Sequence, residues 1–120
     1  MSEQIKRFED LNTWKEAMRI ASDIYKSFYN CKDFGFRDQI RRSAVSIPSN
    51  IAEGYERQSN KEFIQYLFIA KGSTAELRTQ LYLAKDFQYL NKDEADDFIE
   101  RSRKISAMLS KLIKSRKENF

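Results

Sequence analysis

The sequence predicts an all-α protein, an antiparallel up-down-up-down four-helix bundle with a kinked second helix. Three observations lead to this fold class. Glycine and proline together supply only four of the 120 residues, so the chain has few turn formers. Apolar residues recur at spacings of three and four in four segments, which indicates amphipathic helices. Three of these segments begin with Thr, Ser or Asn followed three residues later by Glu, the pattern of a capping box.

The first predicted helix extends from Thr13 to Phe28. Thr13 and Glu16 are expected to form a capping box at its start. The apolar spacing predicts that one face packs in the core, comprising Trp14, Met18, Ala21, Tyr25 and Phe28, and that Ala17 and Ile24 widen this face. Gly35 is expected to form part of the turn that follows.

The second predicted helix begins near Phe36 and contains the single proline, Pro48. Proline lacks the amide that an α-helix needs and crowds the preceding turn. The apolar stripe nevertheless passes through it without a change of spacing, comprising Ile40, Ala44, Ile47, Ile51 and Tyr55. The sequence therefore predicts one kinked helix rather than two. Gly54 is expected to end it in the left-handed conformation.

The third helix is expected to begin after Ser59, with Glu62 completing a capping box, and the fourth after Asn91, with Glu94. The predicted core face of the third helix comprises Phe63, Leu67, Ala70, Thr74, Leu77, Leu81 and Ala84. That of the fourth comprises Ala95, Phe98, Ser102, Ile105, Leu109 and Leu112. Together these elements predict one domain.

The chain is expected to divide into three parts. Residues 1–12 form an N-terminal arm, residues 13–116 form the four-helix bundle, and residues 117–120 form a basic C-terminal tail. The third helix carries a second apolar line, comprising Ile64, Phe68, Ala75 and Tyr82. A helix that is apolar on several sides must be buried on more than one of them. This surplus predicts a homo-oligomer whose interface includes that line.

The net charge of the chain is +4, and residues 101–120 hold seven basic side chains and one acidic. Such a basic surface predicts contact with the phosphates of RNA or DNA. The candidate nucleic-acid-binding residues are Arg41, Arg42, Lys71, Arg78, Lys85, Arg103 and Lys104.

Several alternatives to this interpretation stay open. A solvated helix edge, or a line of ion pairs with Glu76 and its neighbours, also explains the seven-residue spacing of Lys71, Arg78 and Lys85. Arg41 and Arg42 are either part of a basic surface or internal ion-pair partners of the third helix. The alternative function is a protein–protein interaction scaffold with no nucleic-acid role.

The composition argues against most catalytic chemistry. The chain has no histidine and one cysteine, Cys31, so a histidine base and a thiolate zinc site are both missing. The acidic residues near Asp93 and Asp96 are interpreted as partners of a helix dipole rather than metal ligands. We therefore expect no enzymatic activity, no cofactor and no metal. The sequence has no long apolar run and no secretory signal, so we expect a cytoplasmic protein without a membrane span.

Three segments carry a resemblance to a known family. They are FEDLNTWKEAMRIASDIY (Phe8–Tyr25), QIRRSAVSIPSNIAEG (Gln39–Gly54) and the third-helix run from Phe63 to Leu81. They resemble the bacterial four-helix-bundle proteins encoded in intervening sequences of 23S rRNA genes. The resemblance covers nearly the whole chain, and the block around Pro48 is its most specific part. It implies an antiparallel bundle that assembles as a homopentamer, and it brings no catalytic residues.

A relative of this family is the accessory variability protein of diversity-generating retroelements. That relative is taken to bind nucleic acid and a reverse transcriptase through a basic surface. The resemblance therefore implies self-association, and it suggests RNA, DNA or a reverse transcriptase as partners. The intervening-sequence proteins themselves have no settled biochemical role.

Overall fold

The computed structural model describes residues 4–120, which form a four-helix bundle about 45 Å long. A short 3-10 helix precedes four α-helices, α1 (Asn12–Ser27), α2 (Phe34–Tyr55), α3 (Asn60–Asp86) and α4 (Lys92–Asn119). Helix α2 packs against α1 and α3, and α4 packs against α3 and α1. Short turns join consecutive helices, so neighbours are antiparallel. The predicted up-down-up-down bundle is confirmed.

The predicted core faces of the last two helices are largely confirmed. On α3, all seven predicted residues from Phe63 to Ala84 are buried. On α4, five of the six predicted residues are buried, while Leu112 is partly buried and Ile113 is buried beyond it. Heptad-like spacing identifies the core face here because only one stripe on each helix is apolar along its whole length.

The predicted core face of α1 is partly wrong. Met18 and Tyr25 are 44% and 47% exposed, and Trp14 packs edge-on against Phe8 with the ring centroids 5.4 Å apart. Ala21 and Phe28 are buried as predicted, and so are Ala17 and Ile24, which widen that face. Thr13 and Ile20 are buried in addition. Helix α1 carries two apolar stripes, and its packing against both α2 and α4 selects the one containing Ile20.

The expected capping box at the start of α1 is absent. Leu11 is the N-cap residue, and no side chain bonds the free amides there. Thr13 is buried inside the helix instead, and Glu16 pairs with Arg19 on the surface. The arm that includes Leu11 packs onto the bundle, so tertiary contacts decide where α1 begins. The first three residues of the predicted arm lie outside the described residues.

Helix α2 begins earlier than predicted and runs through Pro48 as one helix. The Asp33 carboxylate accepts a hydrogen bond from the Phe36 amide at 3.2 Å and so caps the helix. Gly35 therefore lies in the first turn of α2 and not in a loop. The stripe around Pro48 is buried from Ile40 to Ile51, as its unbroken spacing predicts.

Gly54 does not end α2 in the left-handed conformation, because no glycine has a positive φ within residues 4–120. It is buried inside the helix, where α2 and α3 approach closely. A β-carbon at Gly54 would overlap the β-carbon of Tyr66 and lie 3.1 Å from Phe63 Cδ1. The glycine is thus required for helix packing rather than for helix termination.

The predicted N-caps of α3 and α4 are confirmed. Ser59 Oγ accepts a hydrogen bond from the Glu62 amide at 3.1 Å, and Asn91 Oδ1 accepts one from the Glu94 amide at 2.8 Å. The Glu94 carboxylate accepts a hydrogen bond from Ser27 at 3.0 Å, which joins α4 to the end of α1. Helix α4 continues to Asn119, so most of the expected tail is helical.

Candidate nucleic-acid interface

Three lysines converge in the groove between α3 and α4. Lys71, Lys114 and Lys117 line one cavity of about 480 Å³, together with Phe68, Ser110, Ile113 and Glu118. Lys117 Nζ lies 5.1 Å from the centroid of the Phe68 ring, a cation–π distance that holds its charge at the groove. Glu118 is the single acidic side chain of this lining, so the groove is positive.

Within the described part of the chain, these lysines form no ion pair. The ion pairs formed within residues 4–120 involve other basic side chains and not Lys71, Lys114 or Lys117. Lys71 is half-buried, and Lys114 and Lys117 are exposed. Like charges brought close together raise the local positive potential, which favours an anionic ligand. Of this trio, the sequence interpretation had named only Lys71.

Two of the predicted binding residues are engaged by the protein itself. Lys85 Nζ lies 2.6 Å from Asp96 Oδ1, and hydrogen bonds from Lys85 and Lys92 hold the pKa of that carboxyl below its usual range. Arg103 lies 3.3 Å from Glu100 and donates a 2.7 Å hydrogen bond to Tyr82 Oη. These carboxylates offset the charge that Lys85 and Arg103 offer to a phosphate.

Arg78 and Lys104 extend the basic surface beyond the groove. Arg78 lies two helical turns from Lys71 on the same side of α3. It is half-buried, whereas Lys104 is exposed on α4. Within residues 4–120, neither side chain takes part in an ion pair. Both are therefore available to an anion.

Arg41 and Arg42 lie apart from this surface, on the side formed by α1 and α2. An Arg41 terminal nitrogen donates a 2.7 Å hydrogen bond to the carbonyl of Tyr25, and the guanidinium stacks 4.3 Å from that residue's ring centroid. The hydrogen-bond partner of Arg41 is thus a carbonyl of α1 and not a carboxylate of α3, which argues against the ion-pair alternative. Its place in a basic surface stays a prediction. Arg42 is exposed and lines a shallow cavity with Asp38 and Glu53.

The predicted interface line on α3 lies beside the basic line. Phe68 and Tyr82 are 48% and 47% exposed, Ala75 is exposed, and Ile64 is half-buried. Phe68 and Lys71 differ by about 60° around the helix axis, since each residue turns it by about 100°. The apolar line and the basic line are therefore adjacent strips of one surface. Lys117 and Arg103 of α4 contact the apolar strip at Phe68 and Tyr82.

An apolar groove between α1 and α2 was missed by the sequence interpretation. Its lining encloses about 430 Å³ and includes Trp14, Met18, Tyr25, Val45 and Pro48. The signal was present as the stripe from Trp14 to Tyr25, which was assigned to the core. A helix with two apolar stripes can bury one in the core and leave the other exposed for a partner. The sequence interpretation applies this reasoning to α3 and not to α1.

The acidic residues at the start of α4 bind other side chains. Asp96 contacts Lys85 and Lys92, and Asp97 lies 3.7 Å from Arg101. Over residues 4–120, no three His, Cys, Asp or Glu side chains are grouped to hold a metal ion. None of the helices in that range has the length and apolar composition needed to cross a membrane.

The fold places the protein in the class of all-helical four-helix-bundle proteins. The model of the 23S rRNA-intervening sequence protein family matches residues 9–111, and the chain belongs to this family. The resemblance inferred from the sequence is thereby confirmed. The further relation to the retroelement accessory protein stays a prediction.

A solved structure supports the same assignment. The chain is similar to a protein of unknown function from the S23 ribosomal protein family of Bacteroides thetaiotaomicron, known from its crystal structure. The two are 30% identical with a TM-score of 0.80, and the match covers 85% of this chain and 98% of that one. No curated protein matches the chain.

Proposed function

We propose that the protein is a non-enzymatic homo-oligomer that binds the phosphates of RNA or DNA through the α3–α4 surface. The observation that carries this proposal is the convergence of Lys71, Lys114 and Lys117 on one cavity, where none of them forms an ion pair with another residue of the range 4–120. Contacts from lysines to phosphates neutralise charge and carry no sequence information. Binding is therefore expected to depend on charge and not on nucleotide sequence. A cytoplasmic location, where RNA and DNA are accessible, is part of the proposal.

Self-association would strengthen such binding. Support for it comes from the exposed line of Phe68, Ala75 and Tyr82 on α3, and from the homopentamer that the family resemblance implies. An interface centred on this line leaves Lys71 at its edge, because Phe68 and Lys71 lie about 60° apart around α3. Each subunit would then add its lysines to one repeated positive surface, which raises affinity without new contacts.

The direct test is fluorescence anisotropy with single-stranded RNA, single-stranded DNA and a duplex of equal length, titrated at increasing KCl. We expect binding at low salt that weakens steadily as salt rises, because counter-ions are released from the phosphates. The double variant Lys114→Gln/Lys117→Gln should weaken binding and reduce the salt dependence. Lys15→Gln, an exposed charge on α1, is the matched control.

Three results would overturn the proposal. They are absence of binding at low salt, binding that salt does not affect, and an equal loss in the Lys15 control. Arg42→Gln forms a separate arm, because Arg42 is exposed on the other side of the bundle. An effect of Arg42→Gln alone would move the binding surface to α1 and α2.

A protein-binding scaffold is the second candidate function. The observation that favours it is the apolar groove of about 430 Å³ between α1 and α2, which leaves Met18, Tyr25 and Val45 exposed. A reverse transcriptase is the kind of partner that the family resemblance implies. A pull-down of a candidate reverse transcriptase that survives nuclease treatment and fails with Val45→Glu would favour the scaffold.

A further inference from the structure

Arg116 is fixed at the end of the bundle where α4 finishes and α3 begins. Its Nε donates a 2.8 Å hydrogen bond to Asn60 Oδ1, and its carbonyl accepts a 3.0 Å hydrogen bond from Asn60 Nδ2. The guanidinium lies 4.9 Å from the ring centroid of Phe63 and 3.7 Å from that of Phe120. Two rings and one amide therefore set both the position and the plane of the cation.

This guanidinium borders a cavity of about 670 Å³. Six of its nine lining residues are apolar or aromatic, and the lining comprises Gln4, Ile5, Leu11, Tyr55, Phe63, Leu112, Ser115, Arg116 and Phe120. Among these described residues, Arg116 is the one charged side chain. The volume lies in the range of small-molecule sites, which combine an apolar lining with few polar groups.

Among residues 4–120, no carboxylate forms an ion pair with Arg116. Burial lowers the pKa of its guanidinium, although an arginine remains protonated at neutral pH. A partly desolvated cation without a counter-ion is unfavourable, and an anion in the cavity would relieve that cost.

We propose that this cavity is a binding site for a small organic carboxylate with a compact apolar body, such as an aryl-substituted acid. The hydrogen bond to Asn60 uses Nε of Arg116 and leaves the two terminal nitrogens for a ligand. Their planar edge matches the two oxygens of a carboxylate. A single cation fits a monoanion, and the rings of Tyr55 and Phe63 fit its apolar body.

The site is distinct from the lysine surface between α3 and α4. None of Lys71, Lys114 and Lys117 is among the residues that line it. Titration with inorganic phosphate therefore distinguishes general anion binding from recognition of an acid with an apolar body. Nucleic-acid titrations test the proposed function independently, so failure of either proposal leaves the other standing.

The test is isothermal titration of the full chain with phenylacetate, its neutral isostere phenylacetamide, and inorganic phosphate. We expect phenylacetate to bind about tenfold more tightly than phenylacetamide or phosphate, because hydrogen bonds to a charged group exceed neutral ones by that order. Arg116→Gln should abolish the preference for the acid. Lys111→Gln, an exposed cation on the same helix, is the control that should retain it.

A second variant tests the site independently, in case Arg116→Gln misfolds. Ser115 is exposed and lines the cavity, so Ser115→Trp should obstruct the site while Arg116 stays in place. We expect Ser115→Trp to lose phenylacetate binding and to keep the helix content of the parent protein. The proposal is overturned if the acid and the amide bind equally, if phenylacetate fails to bind at millimolar concentration, or if both site variants bind it like the parent.

Discussion

The Tyr89 hydroxyl donates a 2.6 Å hydrogen bond to Asp33 Oδ2 and so ties together two turns of the bundle. Asp33 precedes α2 and caps it through the Phe36 amide, while Tyr89 lies in the turn between α3 and α4. The Tyr89 ring also packs edge-on against Phe36 at 5.3 Å. One carboxylate thus holds both a helix start and a distant turn, which places these two turns at the same end.

The Asp33–Tyr89 pair predicts that its contribution to stability is lost at both low pH and high pH. Its hydrogen bonds lower the pKa of Asp33 and raise the pKa of Tyr89. The Asp33 contribution is present above the unfolded pKa of about 4 and is lost as pH falls through the lower folded value. The Tyr89 contribution is present below the unfolded pKa of about 10 and is lost as pH rises through the higher folded value.

Tyr89→Phe should therefore lower the Tm most near neutral pH, and the difference from the parent should shrink at both pH extremes. Thermal denaturation followed by circular dichroism over a pH series measures this. Tyr29→Phe is the control, because Tyr29 is 78% exposed. A difference in Tm that is the same at every pH would contradict the role given to the Asp33–Tyr89 bond.

Gly54 should not tolerate a larger side chain. A β-carbon there would overlap Tyr66, so Gly54→Ala should destabilise the fold by about 1–3 kcal/mol through overpacking. Gly35→Ala in the first turn of the same helix is the control. Its β-carbon would have only Asp33 Oδ1 within 4 Å, at 3.9 Å, so we expect a neutral or stabilising effect. Urea denaturation compares the two, and equal effects would refute the close approach.

Phe68→Glu and Tyr82→Glu should weaken self-association while leaving helix content largely intact. Both side chains are about half exposed on α3. An introduced glutamate should therefore destabilise a single subunit little and an apolar interface strongly. Light scattering and circular dichroism measure assembly and helix content. Val45→Glu, on the α1–α2 groove, is the control. Loss of assembly in that variant alone would transfer the interface to the other side of the bundle.

Arg41 and Arg42 should differ in their effect on stability. Arg41→Gln removes a hydrogen bond to the Tyr25 carbonyl and a stacked cation, so we expect a loss of about 1–2 kcal/mol. Arg42→Gln changes an exposed side chain and should leave the free energy of unfolding nearly unchanged. Chemical denaturation provides the comparison. Equal losses would show that Arg41 acts as a surface charge and not as a bridge between α1 and α2.

Local signals predicted the secondary structure well. Ser59 and Asn91 cap their helices because a side-chain oxygen reaches a free amide within three residues, a contact that sequence spacing encodes. The continuation of α2 through Pro48 followed from the uninterrupted apolar stripe. The capping box of α1 was mispredicted because the arm around Leu11, and not a side-chain cap, positions the start of the helix.

The candidate site depended on contacts between helices, which spacing along one helix does not contain. Lys71 was identified on α3, but Lys114 and Lys117 become its neighbours only when α4 packs antiparallel to it. Lys85 continues the seven-residue spacing of Lys71 and Arg78, but it forms an ion pair with Asp96 of α4. One helical stripe therefore contains both free and paired cations.

The sequence by itself determined the number of helices, two of the predicted helix caps, the core faces of α3 and α4, and the family. These features depend on periodicity and on bonds between residues close along the chain. Tertiary structure alone decided that Gly54 is needed for packing against Tyr66, that Arg41 bonds a carbonyl of α1, and which stripe of α1 is buried. Each of these depends on atoms from a second helix, because burial and charge pairing are properties of helices in contact and not of one helix alone.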